Sequence, residues 1–492
     1  MKTIDLKEIV LSENEREIFD LLLCAFSNLH PKTQLRVVGG WVRDKLIGQD
    51  SNDIDIAIEN MSASKFLDML NDYLRLKGKE EVQGHIIESK PEQHKQLETL
   101  KMRFCNQWID VVNLKSVKED AYRRDLTINS LFYNINTGLV EDFTKRGIDD
   151  LKSGRIVTPL SAKTTFMEDP LRVLRAIRFS ARYGFTLDEE LKEAALREEE
   201  VRVALAGNVS RERIGNEIDL MITGNRPVSA VTYLFDLKLF SLLFALPSSS
   251  SVPEPGCGLA YMEAMWNLIQ THGLVNLSGQ QTRLALYAAL FLPFRKMVYK
   301  DTNKKQAPVV SYIFKVSMKR KRIDADTVVN IHKAVERFLR LILPLQMKND
   351  DELQLDDPKH WECITRNDSE VPATSKLRVA TGLLLKDIKE LWRVALLTSL
   401  LLLSKDNDGD FQLDKKRNIY LTVQETIIEL GLDGIWDVKP LVNGHDIIKA
   451  LKPDNKRRVT IIREWQSKLL TWQLAYPNGM PLRHKKQRLC EF

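Results

Sequence analysis

The chain has 492 residues, of which 43% are hydrophobic, enough for two to four domain cores rather than one. Its 73 Lys and Arg exceed its 67 Asp and Glu by only 6, which excludes a polybasic, histone-like protein and leaves any polyanion site to local clustering. The five cysteines form no CxxC pair and no histidine falls at metal-ligand spacing with them, so a zinc module is excluded and a reducing compartment is expected.

Near the N-terminus acids and bases alternate, with neither a secretory apolar core nor an Arg-rich, acid-poor transit pattern, so cytoplasm or nucleus is the expected location. From Ser12 to Leu29 apolar residues recur at helical spacing, and Pro31 closes the segment. A strand over 34–38 then runs into Gly39-Gly40. A helix carrying Trp41, Val42, Leu46 and Ile47 ends at Gly48, and 53–58 alternates acid and aliphatic as a strand does. Further strands are predicted at 108–113 and 131–134. Beyond Leu151 the strand signals fade and long helical patterns take over, among them 170–183, 211–222, 280–291 and 388–402. The longest apolar run, 394–403, contains Thr398 and Ser399, is too short to span a bilayer and reads as a core helix; no membrane is expected as a partner. Breaks are expected at 224–227, in the Ser-rich stretch from Pro247, and in the acidic stretch from Lys348. Ser404–Gly409 imitates the start of a calcium loop but has Ser at the first ligand position and Lys415 where a Glu is needed, so it reads as a plain loop.

Charges inside a buried strand need a purpose. Residues two apart on a strand share a face, so Asp53 and Asp55 project together, and two carboxylates that close coexist cheaply only around a cation. Hard oxygen ligands suit Mg²⁺, which takes one or two protein carboxylates and fills its shell with water and phosphate oxygens. Asp110, in the strand candidate 108–113, offers a third acid. Gly39-Gly40 at a strand-to-helix turn lets backbone N–H groups approach a triphosphate, with Arg43 expected to face the phosphates from the first turn. A lone D-x-D is a weak signal, and its combination with an upstream GG-x-x-RD is a much stronger one.

Gly39-Gly40-x-x-Arg43-Asp44, Asp53-x-Asp55, Arg123-Arg124-Asp125-Leu126-Thr127-Ile128-Asn129, Glu168-Asp169-Pro170-Leu171-Arg172 and Ser210-Arg211-Glu212-Arg213-Ile214 follow one another in a single order. Together they resemble the motifs of the CCA-adding tRNA nucleotidyltransferases, in the class shared by bacteria and eukaryotes, within the superfamily that includes poly(A) polymerases. The resemblance implies an α+β protein: a small N-terminal mixed β-sheet nucleotidyltransferase (palm) domain, residues 1–150, followed by an elongated, mainly α-helical neck (151–225), body (226–405) and tail (406–492). It implies catalysis by Asp53, Asp55 and Asp110, with Asp53 and Asp55 holding Mg²⁺. It also implies nucleotide contacts from Gly39, Gly40, Arg43, Arg124, Asp125, Asn129, Asp169, Arg172, Arg175 and Arg178, with tRNA, CTP and ATP as partners.

The residues say how a base would be chosen. Asp169, read as an N-cap or first-turn acid, and Arg172 three residues on are expected to share a helix face. Cytosine and adenine both set an exocyclic amino donor beside a ring-nitrogen acceptor, whereas uracil and guanine reverse that order. A fixed Asp-Arg pair therefore accepts C or A and leaves U or G with unpaired buried groups, with no template required. Helical charge alone also fits a solvated stripe of Arg175, Arg178 and Arg182. Two basic clusters are candidates for RNA phosphates: Arg295–Arg322, interleaved with Tyr299, Tyr312 and Phe314, and Arg483–Arg488.

One departure stands out. The resembled family carries a flexible loop between the third-carboxylate strand and the RRD motif, whereas here 113–120 runs almost directly from Asp110 to Arg123. Besides CCA addition with A addition impaired, this leaves open a CC-adding enzyme, a poly(A) polymerase of the same superfamily, and a non-catalytic RNA-binding protein.

Overall fold

The computed structural model of the chain describes residues 4–27, 33–88, 98–247, 256–301, 304–351, 353–355, 375–403, 412–439, 443–451 and 458–476. They fall into two compact units, Met1–Phe244 and Ala245–Phe492.

The first unit opens with α1 (Glu13–Ser27), whose Ile18, Leu22, Ala25 and Phe26 are all at most 2% exposed, the face predicted from their spacing. Then come β1 (Leu35–Val38), α2 (Gly40–Leu46), β2 (Ile54–Ile58), α3 (Ala63–Leu76), β3 (Gly84–Ile87), β4 (Thr99–Phe104), β5 (Gln107–Asn113) and α4 (Val117–Arg123). The seven-stranded sheet is completed by β6 (Leu131–Asn134) and β7 (Leu139–Asp142), in the order β3-β4-β5-β2-β1-β6-β7. Only β2 and β5 among these run parallel. A parallel neighbour needs a crossover, which α3, β3 and β4 supply. As a result the acid-bearing strands lie side by side at the middle of the sheet.

Beyond the sheet, α5 (Gly147–Ser153) leads to β8 (Arg155–Ile156), then α6 (Ala162–Glu168), α7 (Arg172–Tyr183) and β9 (Thr186–Leu187), which pairs with β8. Helices α8 (Glu189–Arg197), α9 (Glu199–Gly207), α10 (Arg211–Ile222), α11 (Pro227–Asp236) and α12 (Phe240–Leu243) follow. Ser161, Asp188 and Ser210 each cap the N-terminus of their helix through a side-chain oxygen.

The second unit is mainly helical. It holds α13 (Cys257–Gln270), α14 (Gly279–Leu290), the hairpin β10 (Val298–Lys300) and β11 (Gln306–Pro308), α15 (Val309–Tyr312) continued by a π-helical turn Ile313–Ser317, and α16 (Arg322–Met347). Ser278 and Gln281 form a capping box at the start of α14. The helix Trp392–Leu400, drawn from the greasy run, is a core helix as expected, with Trp392, Val394, Leu396, Leu397 and Leu400 fully buried. Among the described residues no helix is long and apolar enough to cross a membrane. The Ser404–Gly409 loop and the basic cluster Arg483–Arg488 lie outside the described residues.

The α+β architecture expected from the sequence is therefore the observed one. The connection from β5 to α4 is indeed short: Ser116 caps α4 directly, its hydroxyl accepting from the Glu119 N–H at 3.4 Å.

Candidate active site

Gly39 makes the turn from β1 into α2 at φ 75°, ψ −125°, a left-handed backbone that glycine adopts without strain. A side chain there would also collide, because a Cβ on Gly39 would sit 2.8 Å from Nη1 of Arg124. Asp53 immediately precedes β2 and is exposed, while Asp55 is partly buried within it. The parallel pairing places Asp55 in register with Asp110, and on the far side of β5 Lys101 is in register with Asp110 and bonds it at 2.8 Å. Burial first, then the charges of Asp53 and Asp110, push the Asp55 carboxyl from an ordinary 3.8 to about 6, against the opposing pull of Arg124 and Lys101.

That repulsion is what a cation relieves. The donors are all carboxylate oxygens, so the set fits a hard divalent metal. Among the described residues no three His, Cys, Asp or Glu side chains gather into a metal cage on their own. Phosphate oxygens from a ligand would complete the shell, as is usual for this class of ion.

Next to the acids is a buried polar framework. Asp125 is 8% exposed; its Oδ1 accepts from the N–H of Leu126 and from Nδ2 of Asn129, both at 2.9 Å, and its Oδ2 from Nε of Arg175 at 2.8 Å. Burial alone would raise the Asp125 pKa, but the Arg175 charge and these hydrogen bonds outweigh it and hold it below the ordinary value. Arg124 bonds Asp120 at 2.8 Å and the carbonyl of Asn129 at 3.3 Å. Arg43 does not point outward as its place in the first turn of α2 suggested. It is 3% exposed, bonded to Asp44 at 2.8 Å and to Asn129, and its guanidinium lies 5.0 Å from the Phe179 ring and 4.8 Å from that of Tyr183.

Asp169 also differs from expectation. It is no N-cap: it is the C-cap of α6, extended at φ −144°, ψ 101°, and α7 starts three residues later at Arg172. Pro170 is the reason, since a residue before proline is driven out of the helical region. The Asp169 and Arg172 side chains consequently do not bond each other, and the two residues meet only through the backbone, the Arg172 N–H donating to the Asp169 carbonyl at 3.0 Å. Asp169 accepts from the Leu171 N–H at 3.2 Å and from Arg213 of α10 at 2.7 Å. Arg172 donates to Glu168 at 2.8 Å and to the carbonyl of Arg123 at 2.6 Å. Nor do Arg175 and Arg178 form a solvated stripe, because Arg178 bonds the buried Glu217 at 2.6 Å and both guanidinium groups lie over Phe179. Arg213, Glu217, Phe179 and Tyr183 thus join the site although motif spacing did not single them out. Only Arg213 had a visible signal, its place in the last of the five ordered motifs.

Residues 35–157 match the family model described as the poly A polymerase head domain. The chain is 43% identical over 253 residues to the mitochondrial CCA tRNA nucleotidyltransferase of Saccharomyces cerevisiae, a stretch covering 47% of this chain and 46% of that protein. It is 29% identical over 507 residues to tRNA nucleotidyltransferase cca2 of Schizosaccharomyces pombe, covering 96% of both. The chain is similar to CCA tRNA nucleotidyltransferases. It thus spans about half the length of the first relative and nearly all of the second. The fold agrees: the Thermotoga maritima CCA-adding enzyme complexed with tRNA superposes with a TM-score of 0.60 at 19% identity, covering 100% of this chain and 99% of that one.

Proposed function

We propose that the chain adds C, C and A to the 3′ ends of tRNA from CTP and ATP, without a nucleic-acid template, using Mg²⁺ as its metal. The observation that carries the reading is Asp55 in register with Asp110, beside Asp53 and the Gly39 turn, on the same compact unit as Asp169 and Arg172. In each cycle the tRNA 3′-oxygen bonds to the α-phosphorus of the incoming nucleotide, its proton passes to solvent water, and the bond to pyrophosphate breaks. Asp53 and Asp55 hold the metal, which when bound makes the attacking hydroxyl more acidic and offsets charge on the departing pyrophosphate. Asp110 helps to activate the 3′-hydroxyl. Backbone N–H groups at Gly39-Gly40 and the Arg124 guanidinium receive the triphosphate, and Asp125 with Asn129 receives the ribose.

Base choice rests on Asp169 and Arg172, flanked by Arg175 and Arg178. The Asp169 carboxylate has lone pairs left after Arg213 and the Leu171 N–H are served, and Arg172 has N–H groups beyond those given to Glu168 and Arg123. An amino donor beside a ring-nitrogen acceptor satisfies both, which describes cytosine and adenine. The same reading divides the chain into head (1–150), neck (151–225), body (226–405) and tail (406–492). It assigns RNA phosphates to the basic segment from Arg295 to Arg322, where ten cations accompany a single acid, Asp301.

The short β5–α4 connection favours a second reading, addition of C alone. It leaves the base-reading residues in place, so CCA is the product we infer. The deciding assay supplies CTP, ATP or both to tRNAs ending before each of the last three positions and reads products at single-nucleotide resolution. Growth by C, C and A and then arrest is the expected result; arrest after CC establishes the second reading, and untemplated A tracts establish a poly(A) polymerase. Asp53→Ala should abolish incorporation while tRNA binding persists, and retained turnover would refute the metal assignment.

A further inference from the structure

Two side chains at the back of the site have no part in the chemistry above, yet they close a ring of buried contacts through it. Tyr183, at the end of α7, donates its hydroxyl to Oδ1 of Asp44 at 2.8 Å. The same Asp44 oxygen accepts from Nε of Arg43 at 2.8 Å. Arg43 donates onward to Oδ1 of Asn129; Asn129 donates to Asp125 at 2.9 Å; Asp125 accepts from Arg175 at 2.8 Å; and Arg175 belongs to α7 again. The Phe179 ring fills the middle, with the guanidinium groups of Arg43 at 5.0 Å and Arg175 at 5.5 Å from its centroid.

The chemistry of the ring fixes who holds whom. Arg43 and Asp44 are 3% and 5% exposed, and a buried guanidinium without a counter-charge is costly. Asn129 is neutral and cannot supply that charge, so Asp44 anchors Arg43. One oxygen of Asp44 takes both Arg43 and Tyr183, while Arg182 stands 3.9 Å from the other. Burial, together with the negative charge of Asp44 and against the pull of Arg43, raises the Tyr183 phenol above its ordinary value, so its hydroxyl remains a donor at any working pH.

We propose that Asp44 and Tyr183 are positioning residues that tie α7 to the glycine turn, so that Asn129 on the sugar side and Arg175 on the base side meet the nucleotide as one preformed unit. The inference rests on the nucleotide-binding reading given above. It follows from a general requirement: contacts used for selection must be held rigidly by groups that do not themselves touch the ligand.

The test uses the full chain with Tyr183→Phe, which removes one hydroxyl and keeps the ring over Arg43, and Asp44→Asn, which keeps an acceptor and removes the charge. For Tyr183→Phe, kcat/KM for CTP on a tRNA lacking its last three nucleotides is expected to fall roughly tenfold, the effect of one hydrogen bond to a charged partner. The KM for tRNA should stay unchanged, and rejection of UTP should weaken. Asp44→Asn should lose more. In a double-mutant cycle, Tyr183→Phe and Arg175→Lys, which alter groups that do not touch, should be non-additive because both open the same ring. Wild-type CTP kinetics and UTP rejection in Tyr183→Phe, or simple additivity in the cycle, overturn the proposal. If Asp44→Asn does not fold, the Tyr183→Phe kinetics and cycle still decide. Failure of the unmodified chain to incorporate CTP would instead sink the proposed function.

Discussion

Removing the negative charge at Asp55 should make the metal-free protein more stable while abolishing its chemistry. The carboxyl is pushed from an ordinary 3.8 to about 6 by burial and by Asp53 and Asp110. A shift of about two units corresponds to roughly 3 kcal/mol between the ionised and neutral forms. Asp55 keeps part of its surface in water, which screens the repulsion, so about 1–2 kcal/mol is the working figure. The sign follows from proton counting. Between pH 3.8 and about 6 the folded protein binds more protons at Asp55 than the unfolded chain does, so stability falls as pH rises through that window and the full cost is borne above it. Asp55→Asn carries no charge and escapes the cost. Calorimetry of the metal-free proteins at pH 7.5 should show the unit bearing the sheet melting about 2–8 °C higher in the variant, at about 2–4 °C per kcal/mol for a unit of this size. The gap should close as pH falls through 6 and vanish near pH 4. Mg²⁺ with a CTP analogue that cannot be cleaved should then stabilise the parent and not the variant. A variant less stable at pH 7.5, or a gain that does not change with pH, would refute the account of Asp55 as a carboxylate strained by its neighbours in the absence of a cation.

Three further outcomes follow from particular contacts. Gly39→Ala forces φ 75° on an L side chain and drives its Cβ to 2.8 Å from Arg124, so incorporation should drop more than tenfold with the far-ultraviolet spectrum unchanged; normal turnover would show that the turn tolerates the shift. Arg213→Ala removes the 2.7 Å partner of Asp169, so UTP incorporation relative to CTP should rise and Arg213→Lys should restore part of the discrimination; unchanged base choice would remove α10 from the selecting machinery. Changing Lys300, Lys304 and Lys305 to Gln should weaken tRNA binding and lower the slope of log affinity against log salt by about 2–3, roughly one per lost phosphate contact. An unaltered slope would place the RNA elsewhere.

Much of the head was legible because its signals are local. Acid-aliphatic alternation at 53–58, the paired glycines after β1 and the helical period of 12–29 are each set by neighbouring residues, and over the described residues the structure reproduces all three within a residue or two. The register of Asp55 against Asp110 was not legible. It depends on a parallel pairing across the crossover that holds α3, β3 and β4, and nothing in either strand alone dictates that alignment.

The segment proposed to read the base shows where inference from spacing misleads. Counting three residues from Asp169 to Arg172 placed both on one helix face, but Pro170 expels Asp169 from the helix, so the count no longer measures a distance in space. Each side chain then finds a partner far along the sequence: Asp169 bonds Arg213, 44 residues on, and Arg172 the carbonyl of Arg123, 49 residues back, just as Tyr183 bonds Asp44, 139 residues away. Arg43 followed the same rule. A cation in the first turn of a helix after a glycine turn suggests an exposed phosphate ligand, yet Phe179 and Tyr183 cover its faces and Asp44 neutralises it, so it supports the site from within. Local pattern identified which residue types were present, and long-range burial decided which of them stayed free for a ligand. For that reason the residues to which motif spacing assigned no role, Tyr183, Asp44 and Arg213, are the ones whose substitution should separate geometry from chemistry.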